Sequence, residues 1–176
     1  MSSKSPHHTA DDRYRSEVGD GYEIKPRGLS IVWGNDSRYW ILGEDDSAKL
    51  IQVSWLEVSG VVPIKKEGTY RINFHVKVKE DAFGWNGPKV LVMAKVGRKG
   101  AYQYKEVTLS AGDSLIIPSS NKPLDIKVEN GSDTTIQELY FGLYEVWSGK
   151  WKGGLELIKV EVLPIYPRIR YQFMIT

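Results

Sequence analysis

The 176-residue chain contains no cysteine. This absence excludes a disulfide framework, a thiolate nucleophile and a zinc site with cysteine ligands, and it suits a reducing compartment. A chain of this length fits one domain that buries roughly 70% of its unfolded surface. Its core therefore needs neither a disulfide nor a metal for stability.

Histidine is also scarce, with three residues in the whole chain. His7 and His8 lie in a polar N-terminal stretch, which argues against a Ser-His-Asp centre or a metal site built from histidines. A pair of carboxylates from distant parts of the chain, as in glycoside hydrolases, stays open as an enzymatic alternative. On this inventory we expect a non-enzymatic protein with no cofactor and no metal.

A strong charge imbalance and a long apolar run are missing too. The formal net charge is +2, which is too small to predict nucleic acid or an anionic membrane as the main partner. No stretch approaches ~20 apolar residues, and the first residues contain no apolar signal-peptide core. The sequence therefore predicts no membrane span and a cytoplasmic protein, with nuclear entry left open.

Short alternating stretches dominate what is present. In residues 69–79, apolar side chains from Tyr70 to Val78 alternate with polar ones, which is typical of a half-buried antiparallel strand. Similar runs recur along the chain, separated by turns rich in glycine, proline, asparagine and aspartate. We predict an all-β fold, a single antiparallel β-sandwich of jelly-roll type with about nine or ten strands.

Three segments differ in composition. Residues 1–21 are polar and aperiodic, and they predict a flexible or loosely docked N-terminal arm. Residues 22–164 carry the strand pattern and form the folded domain. Residues 165–176 are apolar enough to add an edge strand or to contact a partner chain.

Large aromatic side chains occur at turns, where a ring either packs onto the core or contacts a ligand. Four tryptophans lie at strand ends or in loops, and both interpretations stay open for them: Trp40, Trp85, Trp147 and Trp151. The glycines that follow Trp151 favour the core or its rim slightly. Trp33 and Trp55 have apolar neighbours on strand faces, so periodicity predicts that they pack in the core.

Polar side chains interleave with these aromatics: Asn35, Asp36, Arg38, Asn86, Glu145 and Lys150. An indole packs flat on the C–H patch of a sugar ring, while the sugar's hydroxyl and N-acetyl groups need donors and acceptors at the rim. Covering ~80 Å² of ring face at about 25 cal/mol per Å² contributes about 2 kcal/mol per stacked sugar. Several rings in line predict a micromolar oligosaccharide site and weak binding of a monosaccharide.

Four motifs occur in the chain: SIVWGNDSRYW at residues 30–40, LIQVSWLEVSG at 50–60, DAFGWNGP at 81–88 and YFGLYEVWSGKWKGGL at 140–155. Together, and in this order, they resemble the Nictaba-like lectins of plants, which include the phloem protein 2 lectins. The similarity spans about residues 21–164, and the chain looks most like a cucurbit phloem lectin.

The resemblance implies a non-enzymatic lectin that binds chitin oligosaccharides, built from β-1,4-linked N-acetylglucosamine, and the chitobiose core of N-glycosylated proteins. It also implies a homodimer. For phloem members it implies transport in sieve-tube sap, with RNA or structural filaments as further partners. The basic nuclear signal of the tobacco lectin is not matched at Lys65 and Lys66.

Sugar-binding roles carried over from the family's motifs fall on Trp33, Trp40, Phe83, Trp85, Glu145, Trp147, Lys150 and Trp151. We expect Trp40 rather than Trp33 to be a direct contact, because Trp40 follows a turn. The alternative function is a structural or RNA-binding phloem protein whose aromatics pack a dimer interface. Salt dependence separates the two, since phosphate binding weakens steeply with ionic strength and sugar stacking does not.

Overall fold

The computed structural model describes residues 5–43, 46–129 and 136–166. Within them the chain forms two antiparallel β-sheets. The strands are β1 (Arg15–Val18), β2 (Gly21–Ile24), β3 (Ser30–Ile31), β4 (Trp40–Leu42), β5 (Ala48–Leu50), β6 (Leu56–Ile64), β7 (Gly68–Phe83), β8 (Val90–Val96), β9 (Gln103–Val107), β10 (Ser114–Ile117), β11 (Leu124–Val128), β12 (Gln137–Glu145) and β13 (Gly153–Ile165). Short 3-10 helices occupy Asp12–Tyr14 and Pro26–Gly28.

The predicted all-β sandwich is confirmed, but the described residues hold thirteen strands rather than nine or ten. One reason is the stretch from residue 49 to 62, whose sequence is apolar on both faces and so predicts one central strand. It divides into the end of β5, a loop at residues 51–55 and most of β6. A run that is apolar on both faces does not show where a strand breaks.

One sheet has the strand order β3-β6-β12-β8-β9. Its centre is β12, which pairs with β6 from Gln137↔Ile64 to Glu145↔Leu56 and with β8 on its other edge. The other sheet is built on β7 and β13, which pair along most of their length. On the far edge of β13 lie β2 and β5, and on the far edge of β7 lie β10 and β11.

The core lies between the two sheets. Alternate residues of β7 point into it, so Tyr70, Ile72, Phe74, Val76 and Val78 are all buried, as the period of a strand requires. The rings of Phe74 and Phe141 meet across the core with their centroids 6.3 Å apart. Edge-to-face contact at this distance is favourable for aromatic rings, and it joins the two sheets.

The N-terminal segment contacts the sandwich. His8 forms an isolated bridge with Ile31, and β1 pairs with β2 from Arg15↔Ile24 to Val18↔Gly21. The predicted arm, residues 1–21, therefore contacts the sandwich from Ser5 onward, and its residues 1–4 lie outside the described residues. The predicted edge strand at residues 165–176 lies outside the described residues after Tyr166.

None of the helices among the described residues has the length and hydrophobicity needed to cross a bilayer.

Candidate functional site

Four loops meet at one end of the sandwich, which we call the loop end. They are residues 32–39, 51–55, 84–89 and 146–152. The backbones of Val53 and Lys152 exchange two hydrogen bonds of 2.9 and 3.0 Å, and the N–H of Ile51 donates to the carbonyl of Tyr39 at 2.8 Å. A Cβ added to Gly84 would lie 2.1 Å from the carbonyl oxygen of Trp151. The four loops are thus held in mutual contact.

A buried ion pair lies beneath these loops. Lys152 is completely buried, and its Nζ lies 3.1 Å from Glu145 Oε1. The same Nζ donates to the carbonyl oxygens of Ser54 at 3.0 Å and Lys150 at 2.8 Å. All three donors of the ammonium group are therefore satisfied, as a buried charge requires.

The Glu145 carboxylate is equally well supplied with donors. It accepts hydrogen bonds from the backbone N–H groups of Trp147 and Ser148 and from the Ser148 hydroxyl. Burial raises the pKa of Glu145, but the bonds from Ser148 and Lys152 and the charge of Lys152 outweigh it and hold the pKa below its usual value. The carboxylate is therefore held in its ionised form, and Glu145 orders the loop through its bonds to Trp147 and Ser148.

Four rings form a continuous line across the loop end, which we call the aromatic row: His7, Trp33, Tyr39 and Trp151. Successive ring centroids lie 5.1, 5.4 and 6.4 Å apart, and Tyr39 stacks on Trp151 with 27° between the planes. Trp33 is 36% exposed and Trp151 is 50% exposed. Such a patch of apolar ring surface is available to a ligand.

Trp33 is held in an unusual backbone conformation. Its φ is +65°, in the left-handed region that costs a residue with a Cβ roughly 1–2 kcal/mol. The Trp33 N–H donates to His7 Nδ1 at 2.9 Å, and the Asn35 amide donates to the carbonyls of Ser5 and His7. The N-terminal segment thus stabilises this loop and positions the Trp33 ring.

Asp36 and Arg38 form the polar border of the row. Arg38 donates from Nε and Nη2 to the Asp36 carboxylate, at 3.0 and 2.7 Å for the shortest contacts, and the bond from the Arg38 side chain lowers the pKa of Asp36. The guanidinium carbon of Arg38 lies 5.2 Å from the centroid of the Tyr39 ring. Arg38 therefore places a fixed set of donors beside an aromatic face.

Two tryptophans expected to contact a ligand are buried. Trp40 is 2% exposed and Trp85 is 3% exposed. Trp40 begins β4, and the alternation of that strand turns its ring inward. Trp85 folds under its loop and donates from Nε1 to the carbonyl of Gly153 at 2.9 Å. Periodicity places Trp33 in the core, but its ring is 36% exposed, while Trp40, for which we expect a ligand contact, is buried.

The other predicted residues surround the row without joining it. Phe83 is exposed at the end of β7 and lines a depression with Ile41 and Ile51 on the outside of the β7–β13 sheet. Trp147 is 60% exposed on the last loop. Lys150 donates from Nζ to the carbonyl of Asn86 at 2.7 Å and so ties two loops together.

Sequence reasoning missed several residues of the loop end. Trp55, predicted to be core, is 46% exposed just before β6 and donates from Nε1 to Glu57 at 3.3 Å. Tyr39 precedes Trp40, and the pattern of a strand that starts between them does not say which ring faces outward. His7 was discounted as part of a polar arm. The sequence does indicate a role for Lys152, because a lysine within an aromatic and glycine-rich stretch needs an oppositely charged partner if it is buried.

Comparisons with known proteins agree with the motifs. A family model described as Phloem protein 2 matches residues 19–164. Over 168 residues the chain is 38% identical to the protein PHLOEM PROTEIN 2-LIKE A9 of Arabidopsis thaliana, which covers 88% of this chain and 93% of that protein. Identity to PHLOEM PROTEIN 2-LIKE A1 of Arabidopsis thaliana is 28% over 151 residues, covering 78% of this chain and 59% of that protein.

Among solved structures, a GH26-CBM35 β-(1,4)-mannanase of Podospora anserina aligns with 87% of this chain and 29% of its own, with a TM-score of 0.48 and 10% identity. The mannan binding module from Man5C aligns with 82% of this chain and 98% of its own, with a TM-score of 0.43 and 14% identity. The family match over most of the folded domain, together with the A9 relative, confirms the resemblance of the four motifs. The chain belongs to the phloem protein 2 family.

Proposed function

We propose that this protein is a lectin that binds N-acetylglucosamine oligomers, both as chitin oligosaccharides and as the chitobiose core of N-glycosylated proteins. The observation that carries the proposal is the aromatic row, a line of rings in which Trp33 and Trp151 are exposed and Tyr39 is half-buried between them. The proposed role is binding without catalysis. Trp33, Tyr39 and Trp151 are its stacking residues.

The shape of the row supports an elongated ligand. Its rings touch one another in sequence, so they offer a continuous apolar strip rather than separate spots. A β-linked oligosaccharide is itself an extended ribbon with apolar C–H patches along its length. Each sugar stacked on the strip contributes about 2 kcal/mol, so the second and third sugars strengthen binding while the first alone binds weakly.

The polar border supports the N-acetyl and hydroxyl groups of the same ligand. The Arg38 side chain is 72% exposed, and its guanidinium retains donors beyond those that bind Asp36. The loop carbonyls that accept hydrogen bonds from Lys150 and Lys152 are not available to a ligand. Recognition of the sugar therefore depends on the side chains at the edge of the row. Fixed groups lose little conformational entropy on binding, which favours affinity.

The test is a calorimetric titration with the monomer, dimer and trimer of N-acetylglucosamine. We expect micromolar binding of the trimer, with affinity that rises steeply from one sugar to three, because each added sugar covers another ring. Trp151→Ala should weaken trimer binding at least about tenfold, since it removes one stacking surface. Tyr104→Ala is the matched control, because Tyr104 is an exposed aromatic on β9 outside the row.

Four outcomes would contradict the proposal. A flat dependence on oligomer length would exclude an extended row. Trimer binding that survives Trp151→Ala and Tyr39→Ala in folded protein would move the site elsewhere. Release of shorter oligomers over time would reveal an enzyme, and a steep loss of binding with added salt would favour an anionic partner such as RNA.

We also propose a homodimer and a location in phloem sap, both suggested by the family. Neither is needed for the row to bind sugar, since its four rings belong to one chain. Sedimentation of the full chain with and without the trimer measures the first independently of the sugar site.

A further inference from the structure

A second cavity lies on the outer face of the β3-β6-β12-β8-β9 sheet. Its volume is about 280 Å³, and its lining includes three tyrosines, two serines and one carboxylate: Tyr102, Tyr140, Tyr144, Ser30, Ser59 and Asp12. The cavity follows β12 from Tyr144, directly before Glu145, to Tyr140, five residues before it, and so extends away from the loop end along the strand. We call this cavity the tyrosine pocket.

A glycine lies beneath the ring of one of the tyrosines that line the pocket. Gly142 pairs with Ser59 of β6, and a Cβ at Gly142 would lie 2.5 Å from Cε2 and 2.7 Å from the hydroxyl oxygen of Tyr144. The ring of Tyr144 therefore leans along the strand over Gly142 instead of standing away from the sheet. A side chain at residue 142 would displace that ring and change the depression.

A lysine supports the wall of the pocket. Lys95 Nζ lies 4.7 Å from the ring centroid of Tyr102 and 5.5 Å from that of Tyr140, and it donates to the carbonyl of Arg98 at 2.8 Å. The ammonium group is thus shared between two aromatic rings, which such contacts hold in place. A cationic ligand on the same rings would be repelled by Lys95.

Charged groups of both signs surround the pocket. Among the described residues that line it, Asp12 is the only one with a charged side chain. Its carboxylate lies 3.7 Å from Arg15 Nη1, and Lys95 lies against the rings of Tyr102 and Tyr140, so no single charge dominates. Burial, with smaller contributions from Tyr102 and Glu57, raises the pKa of Tyr144, so its hydroxyl stays a neutral donor and acceptor. The pocket therefore suits a neutral ligand.

We propose that the tyrosine pocket is a second carbohydrate site, which takes a single neutral sugar ring. Tyrosine rings offer apolar faces for its C–H groups, while the serine and tyrosine hydroxyls and the Asp12 carboxylate offer directional partners for its own hydroxyls. The cavity is at the small end of the range for ligand pockets, which matches one ring rather than an oligomer. One chain then carries two sugar sites on different surfaces.

The test is an NMR titration of the full-length ¹⁵N-labelled protein with the methyl glycosides of N-acetylglucosamine, glucose, galactose and mannose. At least one glycoside should shift the amide signals of Ser59 and Gly142. Tyr102→Ala should weaken that binding about tenfold, because it removes one wall. Tyr104→Ala serves as the control, since Tyr104 is also an exposed tyrosine but does not line the pocket.

The pocket shifts should persist in Trp151→Ala, which separates this site from the aromatic row. Failure of trimer binding at the row would leave these shifts in place, so the two proposals fail independently. The pocket assignment is overturned if no glycoside shifts these amides at concentrations up to about 50 mM. It is also overturned if the two tyrosine variants behave alike, or if a phenol such as methyl 4-hydroxybenzoate binds there and no sugar does.

Discussion

Replacing Lys152 with methionine should destabilise the protein by about 3–5 kcal/mol, the usual cost of removing one partner from a buried ion pair. Methionine keeps an unbranched apolar chain of similar length but cannot donate. The Glu145 carboxylate, 2% exposed, would then lack its counter-charge. The carbonyls of Ser54 and Lys150 would lose the donors that now lie at 3.0 and 2.8 Å.

A second variant separates the effect of the unpaired Glu145 charge from the effect of the changed side-chain shape at residue 152. Adding Glu145→Gln to Lys152→Met removes the stranded charge and leaves an amide oxygen that still accepts from the Trp147 and Ser148 N–H groups. We expect the double variant to be more stable than Lys152→Met alone by about 1–2 kcal/mol, because an unpaired buried charge costs more than a neutral amide.

Urea unfolding followed by tryptophan fluorescence measures both differences, with unchanged slopes indicating that the denatured state is not altered. Trimer titration on the same proteins tests whether the loop end remains ordered. The reasoning would be refuted if Lys152→Met cost less than about 1 kcal/mol, or if the double variant were no more stable than the single one. Either result would mean that loop packing, and not the ion pair, determines the stability of this end.

Three further predictions concern the same region. Gly84→Ala should lower the free energy of unfolding by about 1–3 kcal/mol more than Gly87→Ala does. Both glycines have a positive φ, but only a Cβ at Gly84 would clash with a facing backbone carbonyl, at 2.1 Å. Chemical denaturation of the two variants measures the difference. Trp33→Gly should be more stable than Trp33→Ala by about 1 kcal/mol, since glycine adopts a φ of +65° without strain, and equal stabilities would contradict this. The depressed pKa of Glu145 contributes stability that is fully present above its unfolded pKa of about 4.3 and is lost as the pH falls through the lower folded value. The stability gap between wild type and Lys152→Met should therefore narrow in acid, as urea unfolding between neutral pH and pH 3 would show.

The sandwich could be predicted from the sequence because the alternation of apolar and polar residues shows which side chains are buried. This holds wherever a strand is long and one of its faces is exposed to solvent. That condition holds from Tyr70 to Val78, and prediction and structure agree there. It fails at Trp33 and Trp55, which lie in loops next to strands, where neighbouring side chains no longer alternate between core and solvent. It fails for Trp40 because a strand of three residues gives too short a pattern to show which side faces inward.

The organisation of the loop end could not be predicted for another reason. Its contacts join residues far apart in the chain, as when the Trp33 N–H donates to His7 Nδ1 and Lys152 Nζ donates to the carbonyl of Ser54. Local patterns carry no information on such pairs. The four motifs overlap the four loops of the loop end, but only the tertiary contacts distinguish the rings that anchor a loop from those that are exposed on it.

The mutual attachment of the four loops has a consequence for how this protein can diverge. The backbones of Val53 and Lys152 donate hydrogen bonds to each other. Gly84 lies so close to the carbonyl of Trp151 that a side chain would not fit between the two loops. An insertion in any one loop would therefore disturb the others, in contrast to antibody-like scaffolds whose loops vary separately. Descendants with new ligand preferences should arise mainly by exchange of exposed side chains such as Arg38 and Trp151, while the lengths of the loops stay constant.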